Sequence, residues 1–334
     1  MNYYIENRST DPFYNLSLEQ IIFDTFDKNH SYFMLWQNHN SIIVGKHQNT
    51  MSEINSAFVK THNINVARRL SGGGAVYHDM GNLNFTFITD ADENTSIDFS
   101  TFCKPIQDAL VSFGVPVEIT GRNDMTIEGK KISGNAQYVK KGRVMHHGTL
   151  LYDSDLEILS KALNVSDNKI DTIESKGIKS VKSRVTNIRS FMKNDKTLNE
   201  FWAVLKNYFF GSFDMKDYII SGDEENEVQK LKEKVYSQWS WNYGASPSYN
   251  MRKIRKVETC GTIEILLDIG KEGIINNITF YGDFFGNYDT QELVNILTGH
   301  HYEYNEIANL IKEINISQFF HNLDTKTFLS ILFF

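Results

Sequence analysis

The sequence predicts an α+β protein of two domains, and three observations support this. The chain has 334 residues, which is more than one hydrophobic core usually serves. Runs of strand length alternate with stretches of helical periodicity, and Glu128-Gly129 reads as the turn of a hairpin. The helical pattern breaks between Trp239 and Tyr249, where Gly244 and Pro247 stand. We therefore predict a larger domain over residues 1–245 and a smaller one over 246–334.

The first helix is predicted to begin at Asp11 and Pro12, a capping carboxylate followed by a residue suited to the first helical turn. Leu18, Ile21, Ile22 and Phe26 then recur at helical spacing, as on a helix that covers a sheet. We expect Glu19, Asp24 and Asp27 to face water. Further helices are predicted near Ser100 to Phe113, Leu156 to Leu163, Leu198 to Phe209, Asp223 to Trp239, Gln291 to Leu297 and Tyr304 to Ile311.

Strands are predicted between these helices. Leu83, Phe85 and Phe87 alternate with polar residues, as in a half-buried strand. The predicted strands of the first domain are Tyr32 to Trp36, Ile42 to Val44, Ile64 to Arg68, Ala75 to Tyr77, Leu83 to Ile88, Val115 to Ile119, Met125 to Glu128, Lys131 to Lys140 and Arg143 to Tyr152. Those of the second domain are Lys253 to Glu258, Thr262 to Asp268 and Ile274 to Tyr281.

Composition excludes several classes of protein. The net charge of -7 argues against a dedicated nucleic-acid binder, whose surface is normally basic. Two distant cysteines, Cys103 and Cys260, indicate neither a disulfide framework nor a zinc site. The N-terminus lacks the apolar core of a signal peptide, and no apolar run has the 18 or more residues of a membrane span. We expect a cytoplasmic protein.

The run from Arg68 to Asp79, RRLSGGGAVYHD, is the most informative stretch of the chain. Three consecutive glycines lack the Cβ atoms that keep a backbone away from a ligand, so their N–H groups can converge on an anion. We expect Arg68 and Arg69 to add positive charge at the rim. Neither the Walker pattern nor GxGxxG matches. The alternative is a tight turn without chemical importance.

A second group of polar residues follows in GRNDM and KISGNAQ. Asp124 and Lys131 come close together on neighbouring predicted strands. The carboxylate suits a magnesium ion shared with substrate phosphates, and an ordinary surface salt bridge is an equally good interpretation. His146 and His147 are adjacent on one strand, so only one of them can face a given pocket.

A basic stretch from Lys176 to Arg189 contains few apolar residues. Its default interpretation is an exposed loop, and the alternative is a cover for an anionic ligand.

These motifs, with HHGTLLYD, KGIKSVKSRVTNI and WNYGASP, occur in an order that resembles the lipoate-protein ligases of the bacterial two-domain type. The resemblance extends over essentially the full length. It implies a catalytic domain with a mixed or antiparallel β-sheet flanked by helices, as in biotin ligases, and a small α+β accessory domain. It also implies activation of lipoate by ATP to lipoyl-AMP and pyrophosphate, followed by transfer to a lysine of a carrier domain.

The resemblance implies roles for particular residues. Lys131 matches the lysine that contacts both the lipoyl carbonyl region and the phosphate, and is the expected catalytic residue. A mixed anhydride forms from two anions, and a buried cation offsets about 4 kcal/mol of repulsion at 4 Å and an effective dielectric near 20. The expected ATP and lipoyl-AMP site contains Arg69, Ser71, Gly74, Ala75, Val76, Tyr77, Asp124 and Lys131, with Mg²⁺ on Asp124. The expected lipoate site contains Lys131, Gly74, His78 and His147, with Asn82 as a weaker candidate, and Lys179, Ser180, Val181 and Lys182 match the loop that covers the adenylate.

Other consequences concern partners and alternatives. ATP with Mg²⁺ and lipoate are expected as substrates, without a tightly bound prosthetic group. The expected partners are lipoyl domains of 2-oxoacid dehydrogenase E2 subunits and the glycine cleavage H protein, with no nucleic acid or membrane. Asp79 or His147 is a candidate base for the transfer step. An ATP-independent octanoyl or lipoyl transferase would need a pocket cysteine, a biotin ligase would need a GRGRRGR-like loop, and a non-catalytic lipoate binder would not need the phosphate-handling residues.

Overall fold

The structure is a computed structural model that describes residues 1–90, 97–120, 123–163, 184–243, 250–270 and 273–333. An eight-stranded mixed sheet forms its centre. In spatial order its strands are β11 (Met215–Tyr218), β1 (Asn2–Glu6), β2 (Ser31–Trp36), β6 (Asn82–Asp90), β10 (Arg143–Leu151), β9 (Lys130–Lys140), β8 (Asp124–Ile127) and β7 (Glu118–Thr120). β1 is parallel to both of its neighbours, and the other pairs are antiparallel.

Helices cover both faces of this sheet. On one face, α1 (Pro12–Thr25) begins where predicted, because Asp11 accepts a hydrogen bond from the Phe13 N–H, and it packs against Trp36 and Met145. On the other face, α4 (Ser100–Ser112) and α6 (Leu198–Phe213) enclose the aromatic side of β6. Successive residues of β10 therefore belong to different cores, as a strand's period of two requires.

A small three-stranded sheet stands beside the main one, in the order β4 (Asn65–Arg68), β3 (Ser41–Val44) and β5 (Val76–His78). The glycine-rich loop connects β4 to β5. Short helices α2 (Thr50–Glu53), α3 (Ser56–Thr61) and α5 (Leu156–Ala162) pack around this sheet, and α7 (Gly222–Leu231) lies against α1.

The C-terminal segment has its own core and its own antiparallel sheet of β12 (Met251–Val257), β13 (Gly261–Ile269) and β14 (Ile275–Gly282). Helices α9 (Thr290–Leu297), α10 (Tyr304–Leu310) and α11 (Thr325–Phe333) complete it. The segment touches the glycine-rich loop, since the Gly73 N–H donates to the Phe284 carbonyl at 3.3 Å. The predicted boundary at residues 245 and 246 falls outside the described residues and stays a prediction.

Most predicted elements are confirmed within a few residues. Strands β1 and β11 and helices α2, α3 and α11 were not predicted. The helix predicted near Asp223 to Trp239 is present but ends earlier, because α7 continues from Leu231 into a π-helical turn that ends at Tyr236, and α8 (Trp239–Asn242) is separate. Among the helices that the structure describes, none combines the length and the hydrophobicity of a membrane span.

Candidate active site

A pocket opens between the main sheet and the glycine-rich loop. The empty space within it and at its open mouth is about 560 Å³. Its apolar lining comes from Leu16, Trp36, Ile43, Ala75, Val76 and Ala136, and its polar lining includes Arg69, His78, Asn84, Asn123, Lys131, His147 and Thr149. Such a mixture suits a ligand with an apolar chain and a charged end.

Lys131 supplies an amine at this pocket. Its Nζ lies 2.7 Å from Asp124 Oδ1, and the two side chains are 37% and 35% exposed. The ammonium passes over Gly134, where a Cβ atom would lie only 2.9 Å from Nζ. The Lys131 backbone is also fixed, because its N–H donates to the Arg184 carbonyl at 2.8 Å and its carbonyl accepts from the Thr186 N–H at 2.9 Å. The predicted proximity of Lys131 and Asp124 is therefore confirmed.

Arg69 shapes the glycine-rich loop from within. Its guanidinium donates to the carbonyl oxygens of Ile43, Gly72 and Gly74 at 3.0, 2.7 and 2.8 Å and to the Ser71 hydroxyl at 3.0 Å. Burial lowers the pKa of Arg69 to about 10, so it remains protonated at neutral pH. The loop thus turns the carbonyls of Gly72 and Gly74 towards Arg69, and strand β3 supplies the third.

The expectation that both arginines line the rim is wrong. Arg68 is buried and donates to the carbonyls of Gly45, Lys46 and Gln48 at 2.9, 3.0 and 2.7 Å. A tight loop leaves carbonyls without ladder partners, and buried carbonyls need donors. Both cations serve that purpose, and of the two only Arg69 also lines the pocket.

The three glycines of the loop differ in their surroundings. Gly73 has φ of +86°, and a Cβ there would lie 3.0 Å from the Phe285 ring and 3.1 Å from Arg69 Nη2. A Cβ on Gly74 would meet no atom within 4 Å, although Gly74 lines the pocket. The Gly73 N–H is used by Phe284, so the whole glycine run does not converge on a ligand.

We expect Gly73→Ala and Gly74→Ala to separate folding from binding. Gly73→Ala forces a left-handed backbone on a residue with a Cβ, and should lower the free energy of unfolding by about 1–2 kcal/mol. Gly74→Ala should leave that free energy unchanged and weaken ATP binding, because the methyl group adds to the pocket wall. Urea denaturation and calorimetric titration with ATP check both results. Wild-type ATP affinity in Gly74→Ala would contradict the assignment of Gly74 to the nucleotide site.

The hydrogen bonds around His78 determine which of its two ring nitrogens carries the hydrogen. The Asn15 amide nitrogen shares its two hydrogens among the carbonyls of Ser9 and Gln37, at 3.0 and 2.7 Å, and Asn38 Oδ1, at 2.9 Å. Asn38 Nδ2 must then donate to His78 Nδ1, at 3.0 Å, so Nε2 carries the hydrogen. Burial lowers the pKa of His78 to about 3, and within the described part of the chain Nε2 has no partner. A buried free donor on a pocket wall is suited to a ligand's acceptor atom.

His147 faces the pocket and His146 faces the opposite core, as the strand period predicts. His147 Nδ1 lies 3.0 Å from Glu19 Oε1, and Nε2 lies 2.6 Å from Ser71 Oγ. Glu19 is only 1% exposed, so the expectation that it faces water is wrong. His146 Nε2 lies 4.0 Å from the buried Cys103 thiol, behind the sheet.

Of the other predicted site residues, some line the pocket and some do not. Ala75 and Val76 line the pocket, whereas the Tyr77 ring packs in a separate core and its hydroxyl donates to Asn40 at 3.1 Å. Ser71 and Asn82 are buried and do not line the pocket. The segment with Lys179, Ser180, Val181 and Lys182 lies outside the described residues. Asn84, Asn123 and Thr149 also line the pocket and were not predicted, although Asn123 lies in GRNDM and Thr149 in HHGTLLYD.

The geometry bears on two hypotheses from the sequence, namely Asp79 as the base of the transfer step and an acyl-cysteine transferase. Asp79 accepts backbone hydrogen bonds from Gly81 at 2.9 Å and Asp155 at 2.6 Å, which gives its carboxylate a local structural role. Neither Cys103 nor Cys260 lines the pocket, and burial raises the pKa of Cys103 to about 12. A pocket cysteine of the kind an acyl-cysteine transferase needs is therefore absent from the described lining.

Comparison with known proteins identifies the family. Residues 11–210 match the lipoyl protein ligase A/B catalytic domain, and residues 246–332 match the bacterial lipoate protein ligase C-terminus. Lipoate–protein ligase 1 of Staphylococcus aureus is 41% identical over 97% of both chains. Lipoate-protein ligase LplJ of Bacillus subtilis is 40% identical over 99% of both chains.

Solved structures of lipoate-protein ligases are also similar to this chain. A P. falciparum LipL1 complex with lipoate has a TM-score of 0.80 at 26% identity, covering 99% of this chain and 97% of its own. A lipoate-protein ligase A bound with ATP has a TM-score of 0.61 at 25% identity, covering 73% of this chain and 99% of its own. A bipartite ligase from Thermoplasma acidophilum, studied with its E2 lipoyl domain, has a TM-score of 0.63 at 28% identity. The match covers 75% of this chain and 99% of that ligase chain.

A mixed sheet between helices, with a partly apolar pocket beneath a glycine-rich loop, defines a protein ligase of the lipoyl type. The chain belongs to the lipoyl protein ligase A/B family and carries the C-terminal domain of the bacterial lipoate-protein ligases.

Proposed function

We propose that this enzyme joins lipoate to ATP and then passes the lipoyl group to a lysine of a carrier domain. In the first step a lipoate carboxylate oxygen bonds to the α-phosphorus, and the bond to the β-phosphate oxygen breaks to release pyrophosphate. In the second step the carrier amine, after losing a proton, attacks the acyl carbon and AMP leaves. The observation that carries this proposal is the Lys131 ammonium, which stands on a pocket that combines apolar side chains with the glycine-rich loop.

The pocket divides naturally between the two substrates. Leu16, Trp36 and Val76 offer apolar surface to an acyl chain, while His78 and His147 supply the polar part of that wall. Gly74 and Ala75 leave room for the nucleotide. Lys131 then stands between two anions that repel each other, and a fixed cation there lowers the barrier to their reaction. Structural neighbours that contain lipoate or ATP support these two compounds as the substrates.

The carrier is proposed to be a lipoyl domain of a 2-oxoacid dehydrogenase E2 subunit or the glycine cleavage H protein. The T. acidophilum ligase studied with its E2 lipoyl domain supports the first of these. Lys179 to Lys182 are proposed to cover the adenylate, which would keep water from hydrolysing the anhydride.

One experiment tests the reaction as a whole. Purified protein is incubated with lipoate, ATP and Mg²⁺ and with an E2 lipoyl domain or H protein, and the carrier is analysed by mass spectrometry. We expect one lipoyl group per carrier, with AMP and pyrophosphate formed in equal amounts. The control is a carrier whose target lysine is replaced by arginine. Modification that proceeds from an octanoylated carrier without nucleotide would show an ATP-independent transferase, and lipoate binding without modification would show a non-catalytic binder.

Magnesium is proposed to enter with ATP and to use Asp124. The described residues contain no group of three His, Cys, Asp or Glu side chains able to hold a metal by themselves. One carboxylate together with substrate phosphates is a common way to hold Mg²⁺, and Asp124 beside Lys131 fits that arrangement.

We expect Asp124→Asn to raise the Mg²⁺ concentration needed for half-maximal pyrophosphate exchange by about 10-fold, the equivalent of one lost charge-assisted contact. Exchange assays over a range of Mg²⁺ concentrations at fixed ATP measure this. If Asp124 only forms a salt bridge with Lys131, the variant should lower the rate without changing the Mg²⁺ requirement.

A further inference from the structure

Beneath the pocket lies a buried chain of side chains that centres on Glu19. Thr86 Oγ1 lies 2.5 Å from Glu19 Oε1, and His147 Nδ1 lies 3.0 and 3.2 Å from the two carboxylate oxygens. Beyond these, Trp36 Nε1 lies 2.8 Å from Thr86, and Ser71 joins His147 to Arg69. All of these side chains are buried.

The direction of each hydrogen bond follows from the chemistry of its ends. The Trp36 indole can only donate, so Thr86 accepts from it and gives its own hydrogen to Glu19. The Arg69 guanidinium can also only donate, so Ser71 accepts from it. The Glu19 carboxylate can only accept, so His147 Nδ1 donates to it, and Nε2 of the neutral imidazole then accepts the Ser71 hydrogen. Both arms therefore end on the same carboxylate.

The two arms lead to different parts of the pocket. The Thr86 arm holds Trp36, which belongs to the apolar wall. The other arm passes through His147 and Ser71 to Arg69, whose remaining donors hold the Gly72 and Gly74 carbonyls of the glycine-rich loop. Glu19 itself does not line the pocket.

Charge gives Glu19 a second connection with Arg69. Arg69 carries a buried positive charge, and an isolated buried charge is strongly unfavourable. Glu19 is the buried carboxylate to which this chain of hydrogen bonds leads, and its attraction favours the charged form of Arg69. The carboxylate thus supports the loop through hydrogen bonds and through charge.

We propose that Glu19 is a positioning residue that fixes the acyl wall through Thr86 and the nucleotide loop through His147 and Ser71. This rests on the proposed function, since it assigns the two arms to lipoate and to ATP. Glu19 contacts neither substrate. It keeps Trp36 and Arg69 in the orientations in which they meet their ligands.

Three variants test the two arms separately. Thr86→Val keeps the shape of the side chain and cuts the arm to Trp36, Ser71→Ala cuts the arm to Arg69, and Glu19→Gln removes the common acceptor charge. Asp24→Asn is the matched control, because Asp24 lies on the same helix and is exposed. The KM values for lipoate and ATP are measured by pyrophosphate exchange, and the dissociation constants of each ligand by calorimetry.

We expect Thr86→Val to raise the lipoate KM about 10-fold and Ser71→Ala to raise the ATP KM about 10-fold, each with the other KM within about twofold. His147 belongs to the acyl wall, but it keeps its hydrogen bond to Glu19 in Ser71→Ala, so the lipoate KM of that variant changes little. Glu19→Gln should raise both, and Asp24→Asn neither. Equal changes in the two arm variants, or a loss of kcat with both KM values unchanged, would reduce Glu19 to a stabilising role and overturn the proposal.

The outcome remains decisive if Glu19→Gln does not fold, because the two arm variants leave Glu19 in place. Wild-type protein that shows no pyrophosphate exchange would refute the proposed function instead. In that case the calorimetric constants for lipoate and ATP still show whether the two arms act on different ligands.

Discussion

Replacing Lys131 with alanine should abolish lipoate-dependent exchange between pyrophosphate and ATP while leaving the fold intact. The ammonium is the cation proposed to lie between carboxylate and α-phosphate, and removing one such group costs about 10²- to 10³-fold in rate. The fold should survive because the ion pair with Asp124 is about one-third exposed, and such pairs contribute about 0–1 kcal/mol. The exchange rate and the urea midpoint are the two measurements.

Lys130→Ala is the matched control for this substitution. Lys130 precedes Lys131 on β9, so its side chain points to the opposite face, and it is exposed. We expect wild-type exchange and stability in that variant. Exchange that continues normally in Lys131→Ala would remove Lys131 from its proposed role, whereas equal losses in both variants would indicate a general effect of charge.

The sequence predicted the helix that carries Glu19 but not the environment of that residue. Asp11 and Pro12 are local signals, and α1 begins where they place it. A carboxylate is rarely buried without a partner, so exposure was the reasonable expectation for Glu19. Its partner His147 is 128 positions away in the chain, and no pattern within the helix can reveal such a contact.

The glycine-rich loop does belong to the candidate site, but its glycines and arginines do not all face a ligand as the sequence suggests. Glycines and cations in one run are typical of anion binding, and Gly74 does line the pocket. However, Arg69 binds the Gly72 and Gly74 carbonyls of the loop, because the same small residues that let a ligand approach leave the backbone without neighbours to satisfy it. Arg68 points away and binds carbonyls of another loop, residues 45–48. Sequence gives the composition of such a loop and not the direction in which its carbonyls point.

Strands β1 and β11 show that local sequence patterns also miss some contacts of the fold itself. β1 holds Tyr4 and Ile5 in the core, yet its parallel pairing joins Asn2 to Met215 at the far end of the domain. Parallel pairs have no hairpin turn to announce them. Antiparallel neighbours such as β9 and β10 are joined by a short turn, and they were predicted almost to the residue.

Arg69→Lys should lower the exchange rate by about 100-fold, an effect that corresponds to about 2.7 kcal/mol. The guanidinium reaches three carbonyls and the Ser71 hydroxyl from one planar group. A lysine ammonium has the charge but not the planar fork, so it leaves some of these acceptors unpaired. Each buried carbonyl without a donor costs about 1–3 kcal/mol. We therefore expect both a less stable protein and a glycine-rich loop that no longer fits the nucleotide.

Arg68→Lys separates these two effects. Arg68 is as well connected as Arg69, with the carbonyls of Gly45, Lys46 and Gln48 among its acceptors, but it does not line the pocket. Its replacement should lower the urea midpoint by a similar amount, while folded protein keeps most of its exchange activity. If both variants lose activity only in proportion to their unfolded fraction, Arg69 is a structural residue. A much larger loss of activity per folded molecule in Arg69→Lys would show that the loop must have the shape that Arg69 imposes.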